Sequence, residues 1–235
     1  MQIDVLTTAD AVAQSAAKFI ASRAAAAIDA RGRFKLAVSG GRTPWKMLRE
    51  LANENIDWTS VHLFQVDERV APTGDPDRNL THIRESLLAN VPLPATNMHP
   101  MPVEATDLVA AAARYANELA AVADTPPVLD LVHLGLGPDG HTASLVSGDP
   151  VLNQDFLDVA LTQPYQGHRR MTLTYPILNR SRCVLFVVTG AEKVSALTAL
   201  RTGDRAIPAG RISGERALVI ADAAAAGDSS PKRLQ

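Results

Sequence analysis

One cysteine, Cys183, is all the thiol that the 235 residues carry. A lone thiol can close neither an internal disulfide nor a zinc framework, so neither staples this fold. Cys183 sits in the apolar run Cys183 to Val188 and reads as a core residue in a reducing compartment. Long hydrophobic runs are missing too: no stretch reaches the roughly eighteen apolar residues of a membrane span. The N-terminus, with Asp4 and Asp10, lacks the basic region of a signal peptide. A cytoplasmic protein with no membrane partner is expected. Aromatic residues make up only 4%, and 23 Lys and Arg against 25 Asp and Glu leave a net charge of -2. With no basic stripe interleaved with aromatics, nucleic acid is not an expected partner. Two signatures are also absent: the G-x-x-x-x-G-K-[ST] phosphate loop, and the G-x-S-x-G elbow that would point to a covalent serine mechanism.

What remains is a chain that is 46% hydrophobic, much of it alanine, which favours long, closely packed helices. Its length suits one large α/β domain or two small ones. No internal repeat or low-complexity linker marks a boundary, so residues 1–235 read as one α/β domain with a small inserted lobe. The pattern predicts strands at 2–6, 34–38, 61–66, 128–136, 183–188 and 217–220, with short strands at 159–162 and 171–174. Helices are predicted from Thr8 or Asp10 to about Ala30, from Trp45 to Asn53, from Leu80 to Ala89, from Asp107 to Val122, and after Lys193 to about Leu200. A helical turn is expected after His141. Residues 223–235, with Gly227, Ser229, Ser230 and Pro231, read as a frayed end.

The richest stretch is Val132-His133-Leu134-Gly135-Leu136-Gly137-Pro138-Asp139-Gly140-His141-Thr142-Ala143-Ser144. An apolar run breaks into glycines, an acid and a histidine, as at the carboxyl end of a buried parallel strand, where ligands of open α/β sheets gather. One glycine separates Asp139 from His141, so a tight turn can aim both at one crevice, the carboxylate orienting an imidazole that serves as general base. The alternative is that His141 caps a following helix and Asp139 satisfies loop amides. Gly135 to Gly140 also spells the dinucleotide fingerprint G-x-G-x-x-G. Pro138 removes an amide, however, and Asp139 puts a negative charge where a pyrophosphate would lie.

Three other strand tips carry unusual residues. Ser39-Gly40-Gly41-Arg42-Thr43-Pro44 leads from a strand into a helix, with Thr43 suited to the N-cap and Pro44 to the first turn; it is either a phosphate site or an ordinary turn with a good cap. Asp67-Glu68-Arg69 ends the strand before it, and three charges there are either solvated or catalytic. Thr189-Gly190-Ala191-Glu192-Lys193 turns a third strand into a helix. Arg169 and Arg170 enter a further strand, as a solvated edge or as a bidentate grip on an oxyanion.

Together these tips resemble the 6-phosphogluconolactonase family. The carrying motifs are G-L-G-x-D-G-H-T-A-S, then V-D-E-R followed by Asp75 or Asp77 before Asn79, and S-G-G-x-T-P, which related sugar-phosphate isomerases and deaminases share. The resemblance covers most of the chain. It implies a Rossmann-like, mostly parallel sheet flanked by helices, and hydrolysis of 6-phospho-D-glucono-1,5-lactone to 6-phosphogluconate without metal or organic cofactor. The expected partner is a small sugar-phosphate lactone; a monomer or weak homodimer is expected. The resemblance also assigns roles. Ser39, Gly40, Gly41 and Thr43 would hold the phosphate with Arg169 or Arg170 and Lys193; Asp67 would line the substrate site; His141 would activate water with Asp139 orienting it; and Arg69 would sit at the carboxyl end of the lactone.

Departures from the family pattern are Arg42, where a small polar residue is common and which could add a phosphate contact, Arg78 in place of serine, and Val146-Ser147 in place of Phe-Pro. The rival aldose-ketose deaminase chemistry resembles D-G-H-I-A-F-N-E-P, whose glutamate falls at Val146 here, although Asp67 remains available for proton abstraction. A sugar-phosphate sensor would need a DNA-reading module for which this chain has no spare length.

Overall fold

The computed structural model describes residues 1–227. Gln2–Leu6 forms β1, and Thr8 caps α1, Ala9–Arg31, by accepting the Ala11 amide at 3.2 Å. Gly32, at φ 72°, ends that helix in the left-handed conformation glycine tolerates best. There follow β2 (Phe34–Val38), α2 (Arg42–Leu51), β3 (Val61–Gln65), β4 (Asp67–Arg69), α3 (Asn79–Ser86), β5 (Met98–His99), α4 (Leu108–Ala123) and β6 (Leu131–Leu134). Then come β7 (Val159–Leu161), β8 (Arg170–Leu173), α5 (Tyr175–Arg180), β9 (Val184–Val188), α6 (Val194–Thr202) and β10 (Ala217–Asp222).

Seven strands make one sheet in the order β1-β10-β9-β6-β2-β3-β5, every neighbouring pair parallel. Alternate side chains serve opposite faces. Leu36, Leu63, Leu131, Leu185 and Ile220 pack with α1 and α2 on one side. Ala37, Phe64, Val132, Phe186 and Val219 pack with Ala111, Tyr115 and Leu119 of α4 on the other. Each fully buried Leu, Ile or Phe contributes about 1.5–3 kcal/mol. From β2 the chain winds outward through β3 to β5, whereas from β6 it winds the other way through β9 to β10, beside which the first strand, β1, forms the edge. The strand order therefore reverses between β2 and β6, whose carboxyl ends flank a natural crevice. Among the described residues, no helix is long and apolar enough to cross a membrane.

The expected mostly parallel sheet flanked by helices is observed, and the small lobe is a second, antiparallel sheet, β4-β8-β7. Several local expectations need correction. Asp67-Glu68-Arg69 is not a loose strand tip but β4 itself, pairing Arg69 with Arg170 and Asp67 with Thr172. β6 is shorter than its apolar run, because the Asp130 side chain accepts the Lys35 amide at 2.9 Å before the ladder with β2 begins. α2 begins at Arg42, three residues earlier than its apolar period suggests. No helical turn follows His141; Thr142 and Leu145 form a β-bridge around Ala143, whose φ is 52°. Ala223–Gly227 is not frayed but turns back with Ala225 buried, while the rest of the expected frayed end, 228–235, lies outside the described residues.

Candidate active site

A cleft of about 570 Å³ opens where the strand order reverses, between the loops that follow β2 and β6. Its floor is built by the glycines after β6. The Gly137 amide donates to the His141 carbonyl at 2.8 Å and the Gly140 amide to Gly137 at 3.0 Å, closing a tight loop with Gly140 at φ 81°. A Cβ on Gly137 would lie 2.1 Å from His141 Nδ1, so this glycine is what admits the imidazole. In the space so made, His141 Nδ1 and Asp139 Oδ1 are 2.6 Å apart. A carboxylate oxygen can only accept, so Nδ1 carries the proton and Nε2 offers a lone pair. Partial burial works to raise the Asp139 carboxyl, but attraction to the His141 ring in its protonated form and the hydrogen bond from it outweigh burial and hold the group below the usual carboxylate value. The helix-capping alternative for His141 fails, since no helix follows it.

The second wall is the loop after β2. Gly41, at φ 127°, occupies the N-cap of α2, and no side chain caps the helix; Gly41, Arg42 and Thr43 all line the cleft, which places this uncapped N-terminus at its wall. Thr43 is not the cap that its position suggested. Its Oγ1 lies 2.6 Å from Thr189 Oγ1, tying this loop to the tip of β9. Ser39 turns back to β6: its amide donates to His133 Nδ1 at 3.3 Å and its hydroxyl to the His133 carbonyl at 3.1 Å. His133 is fully buried, and burial pushes its pKa down to about 3, so it stays neutral and can accept. Gly40 is packed on Asn79, and Arg42 and Lys193 line the rim. Burial lowers the Lys193 ammonium from its ordinary value, with the neighbouring Glu192 and Asp139 opposing the shift.

The third wall is the small sheet. Asp67 is buried, its Oδ2 accepting from Ser144 Oγ at 2.6 Å and its Oδ1 from Asn79 Nδ2 at 3.3 Å. Arg69 donates to Asn79 Oδ1 at 2.9 Å and to the Asp77 carbonyl at 2.7 Å, which aims its guanidinium along the cleft. Register decides between the two arginines that enter β8. Arg170 is buried, opposite Arg69, and lines the cleft. Arg169 is exposed and is not among the residues lining the cleft; its Nε donates to the Thr162 carbonyl at 3.2 Å, so of the two expected contacts only Arg170 is in reach.

The structure thus gathers Asp139, His141, Ser39, Gly40, Gly41, Arg42, Thr43, Asp67, Arg69, Arg170 and Lys193 around one space and leaves Arg169 outside it. Thr189, Glu192 and Asp222 also line the cleft and carried no assignment from sequence. Asn79 and Ser144 stood inside motifs singled out for other residues; polar residues next to a predicted site, with no amphipathic pattern to explain them, were the available signal. Glu68 proves to be a supporting residue: fully buried, it accepts the Asn79 and Leu80 amides at 2.8 Å each, capping α3 from outside the helix, and pairs with Arg78 at 3.1 Å.

With this geometry established, likeness to known proteins is informative. A curated 6-phosphogluconolactonase of Synechocystis is 38% identical over 200 residues, covering 83% of either chain. The crystal structure of a 6-phosphogluconolactonase from Thermotoga maritima superposes with a TM-score of 0.85 at 29% identity, covering 94% of this chain and 98% of that one. A monomeric glucosamine-6-phosphate deaminase shares the fold at a TM-score of 0.85 but only 19% identity, covering 97% of this chain and 100% of that one, so the architecture alone does not choose between the two chemistries. The family model for glucosamine-6-phosphate isomerases/6-phosphogluconolactonase matches residues 7–220, and the chain belongs to that family.

Proposed function

We propose that this chain hydrolyses 6-phospho-D-glucono-1,5-lactone to 6-phosphogluconate, the second step of the oxidative pentose phosphate pathway. The observation that carries this reading is the 2.6 Å contact between Asp139 and His141, set in a cleft that also holds an uncapped helix N-terminus and five cationic side chains, Arg42, Lys46, Arg69, Arg170 and Lys193. A base directed at one end of a cationic cleft suits a neutral lactone carbonyl tethered to a dianion. The names of the curated relatives point the same way.

The phosphate binds at the Ser39-Gly40-Gly41-Arg42-Thr43 loop, where the first amides of α2 and the Lys193 ammonium favour an anion, with Arg170 adding charge from the small sheet. Phosphate lies remote from the reacting bond, so its binding energy serves to orient the lactone. His141 Nε2 removes a proton from water as the oxygen attacks C1, while Asp139 keeps Nδ1 protonated and stabilises the imidazolium. A positioned base of this kind contributes about 10²- to 10⁴-fold. The C1 carbonyl oxygen becomes an oxyanion stabilised by Arg69, an interaction of about 3–4 kcal/mol by analogy with other oxyanion donors. Collapse of the tetrahedral intermediate breaks the C1–O5 bond, and His141 returns its proton to O5. One water is consumed, giving a carboxylic acid and a hydroxyl, and the acid then releases its proton to solvent to leave the carboxylate.

The test is the rate at which freshly generated lactone disappears above its spontaneous opening, with ammonia release from glucosamine 6-phosphate followed in parallel. Lactone turnover without ammonia supports the proposal. Ammonia without lactone turnover would replace it with the deaminase reading, which the buried Asp67 carboxylate in the cleft favours and Val146, standing where that pattern has glutamate, opposes. Silence in both assays overturns both.

A further inference from the structure

Tyr165 lies outside every motif that carries the proposed chemistry, yet it touches three of its groups at once. Its ring stands edge-on to the His141 imidazole, centroids 5.8 Å apart at 67°. The Arg170 guanidinium lies 5.1 Å from the ring centroid, within cation–π range. Its hydroxyl reaches Asp139 Oδ2 at 3.5 Å, a long contact that makes the ring, more than the hydroxyl, the working part.

The local backbone explains how a side chain on a surface hairpin is held there. Tyr165 and His168 exchange amide–carbonyl bonds of 2.9 and 3.2 Å around Gln166 and Gly167, both with positive φ, 50° and 84°. That is a two-residue turn of the primed type, whose twist matches the strands it joins. The turn is pinned a second time from outside: His168 Nε2 lies 3.1 Å from Asp77 Oδ2, and the carbonyl of that same Asp77 accepts from Arg69. Arg170 in turn donates back to Gln166 Oε1 at 3.4 Å and to the Tyr165 carbonyl at 3.5 Å. The hairpin is thus fixed at both ends, with its aromatic ring between the base and a buried arginine.

We propose that Tyr165 is a positioning residue for this site: its ring holds His141 in the rotamer that keeps the Asp139 contact and holds Arg170 toward the anion. The proposal rests on the lactonase reading for its kinetic consequence but not for its geometry. Leucine fills space without a π face, so a ring that merely packs is replaceable by leucine and one that positions is not.

The experiment compares wild type with Tyr165→Phe, Tyr165→Leu and Tyr165→Ala, each checked for folding by thermal melting. Loss of the ring raises KM about fivefold or more by releasing Arg170. It also lowers kcat about tenfold, as expected when a general base loses its alignment. Phenylalanine restores both to within about threefold, since it lacks only the long hydroxyl contact. The second readout needs no turnover: the imidazole ¹⁵N signals of His141, assigned by their absence in His141→Ala, report a single Nδ1–H tautomer in wild type and Tyr165→Phe and a mixture in Tyr165→Leu and Tyr165→Ala. Four proteins with the same kinetics and signals, or leucine matching phenylalanine in either parameter, would overturn the proposal. A wild type that fails to hydrolyse lactone but shows the same Phe-against-Leu order in its His141 signals would uphold it and remove only the function assigned above.

Discussion

Gly40 and Asn79 share a space that holds only one of their side chains: a Cβ on Gly40 would stand 1.8 Å from Asn79 Oδ1. The glycine of the β2 loop is therefore required by the small lobe as well as by any anion. Asn79 cannot simply step aside, because its amide donates to the Asp67 carbonyl at 2.8 Å and its oxygen accepts from Arg69. Gly40→Ala is expected to dislodge Asn79 and with it Arg69, lowering kcat about 10²-fold through the lost oxyanion contact while the melting temperature falls by only a few degrees. Steady-state kinetics and a thermal melt on the same preparation check this, and unchanged kcat would show that Asn79 does not aim Arg69.

His141→Ala should lower kcat by about 10²- to 10⁴-fold with 6-phosphogluconate affinity nearly intact, because the role proposed for His141 is toward water and not toward the phosphate. Asp139→Asn should follow with a comparable loss: its amide NH₂ can face Nδ1 and favour the wrong tautomer. Calorimetric titration with 6-phosphogluconate separates binding from chemistry, and retained turnover in His141→Ala would sink the base assignment.

Lys193 carries a pH dependence whose sign is defined. Burial lowers its ammonium below the ordinary lysine value, so it loses charge earlier than a surface lysine as pH rises. Affinity for 6-phosphogluconate should therefore weaken from neutral to alkaline pH. Lys193→Arg should retain affinity over that range, and Lys193→Ala should bind about 10- to 100-fold more weakly at neutral pH, as for loss of a charged hydrogen bond. Unchanged affinity in Lys193→Ala would move the phosphate grip elsewhere.

His133 makes acid sensitivity a property of the scaffold. Its folded-state pKa is pushed by burial from 6.5 down to about 3. Below about pH 6.5 the unfolded chain takes up a proton that the folded one refuses, so stability is full above that value and falls by up to about 1.4 kcal/mol per pH unit down to about pH 3. His133→Asn, whose carbonyl can still accept the Ser39 amide, should lack this component. Urea unfolding at pH 7, 6 and 5 measures it, and parallel slopes in the two proteins would refute it.

Arg78, the departure from the serine of the family pattern, is bound into the structure by Glu68 at 3.1 Å and by the Ala71 carbonyl at 2.8 Å, with almost no exposed surface. Arg78→Ala leaves the Glu68 carboxylate buried without its counter-charge and should cost about 3–5 kcal/mol in urea unfolding. A cost below about 1 kcal/mol, the range of exposed pairs, would mean that the amides of Asn79 and Leu80 alone satisfy Glu68.

Much of this architecture is written locally. The apolar run of β9 is continuous and that of β10 breaks only at its last residue, Asp222, because both sheet faces are covered, and a run of that kind is visible without a structure. Thr8 and Gly32 mark the ends of α1 by cap chemistry that depends on a few neighbouring residues. The Asp139-Gly140-His141 contact belongs to the same class, since partners two residues apart meet within one turn.

Other features depended on residues distant in sequence, and no local pattern contains them. Whether Arg169 or Arg170 faces the cleft follows from the pairing of β4 with β8, because a shift of one residue turns every side chain to the other face. Glu68 reads as either a solvated or a catalytic charge until the Asn79 and Leu80 amides and Arg78 surround it. Tyr165 looks like one polar-edged residue in a surface loop until β8 carries Arg170 beneath its ring. By itself the sequence determined most strands of the central sheet, the ends of α1 and the turn that brings Asp139 to His141, each set by backbone preference and close neighbours. Only the tertiary structure decided which charges are buried and which arginine is usable, because those depend on long-range register and on what the packed chain shields from water.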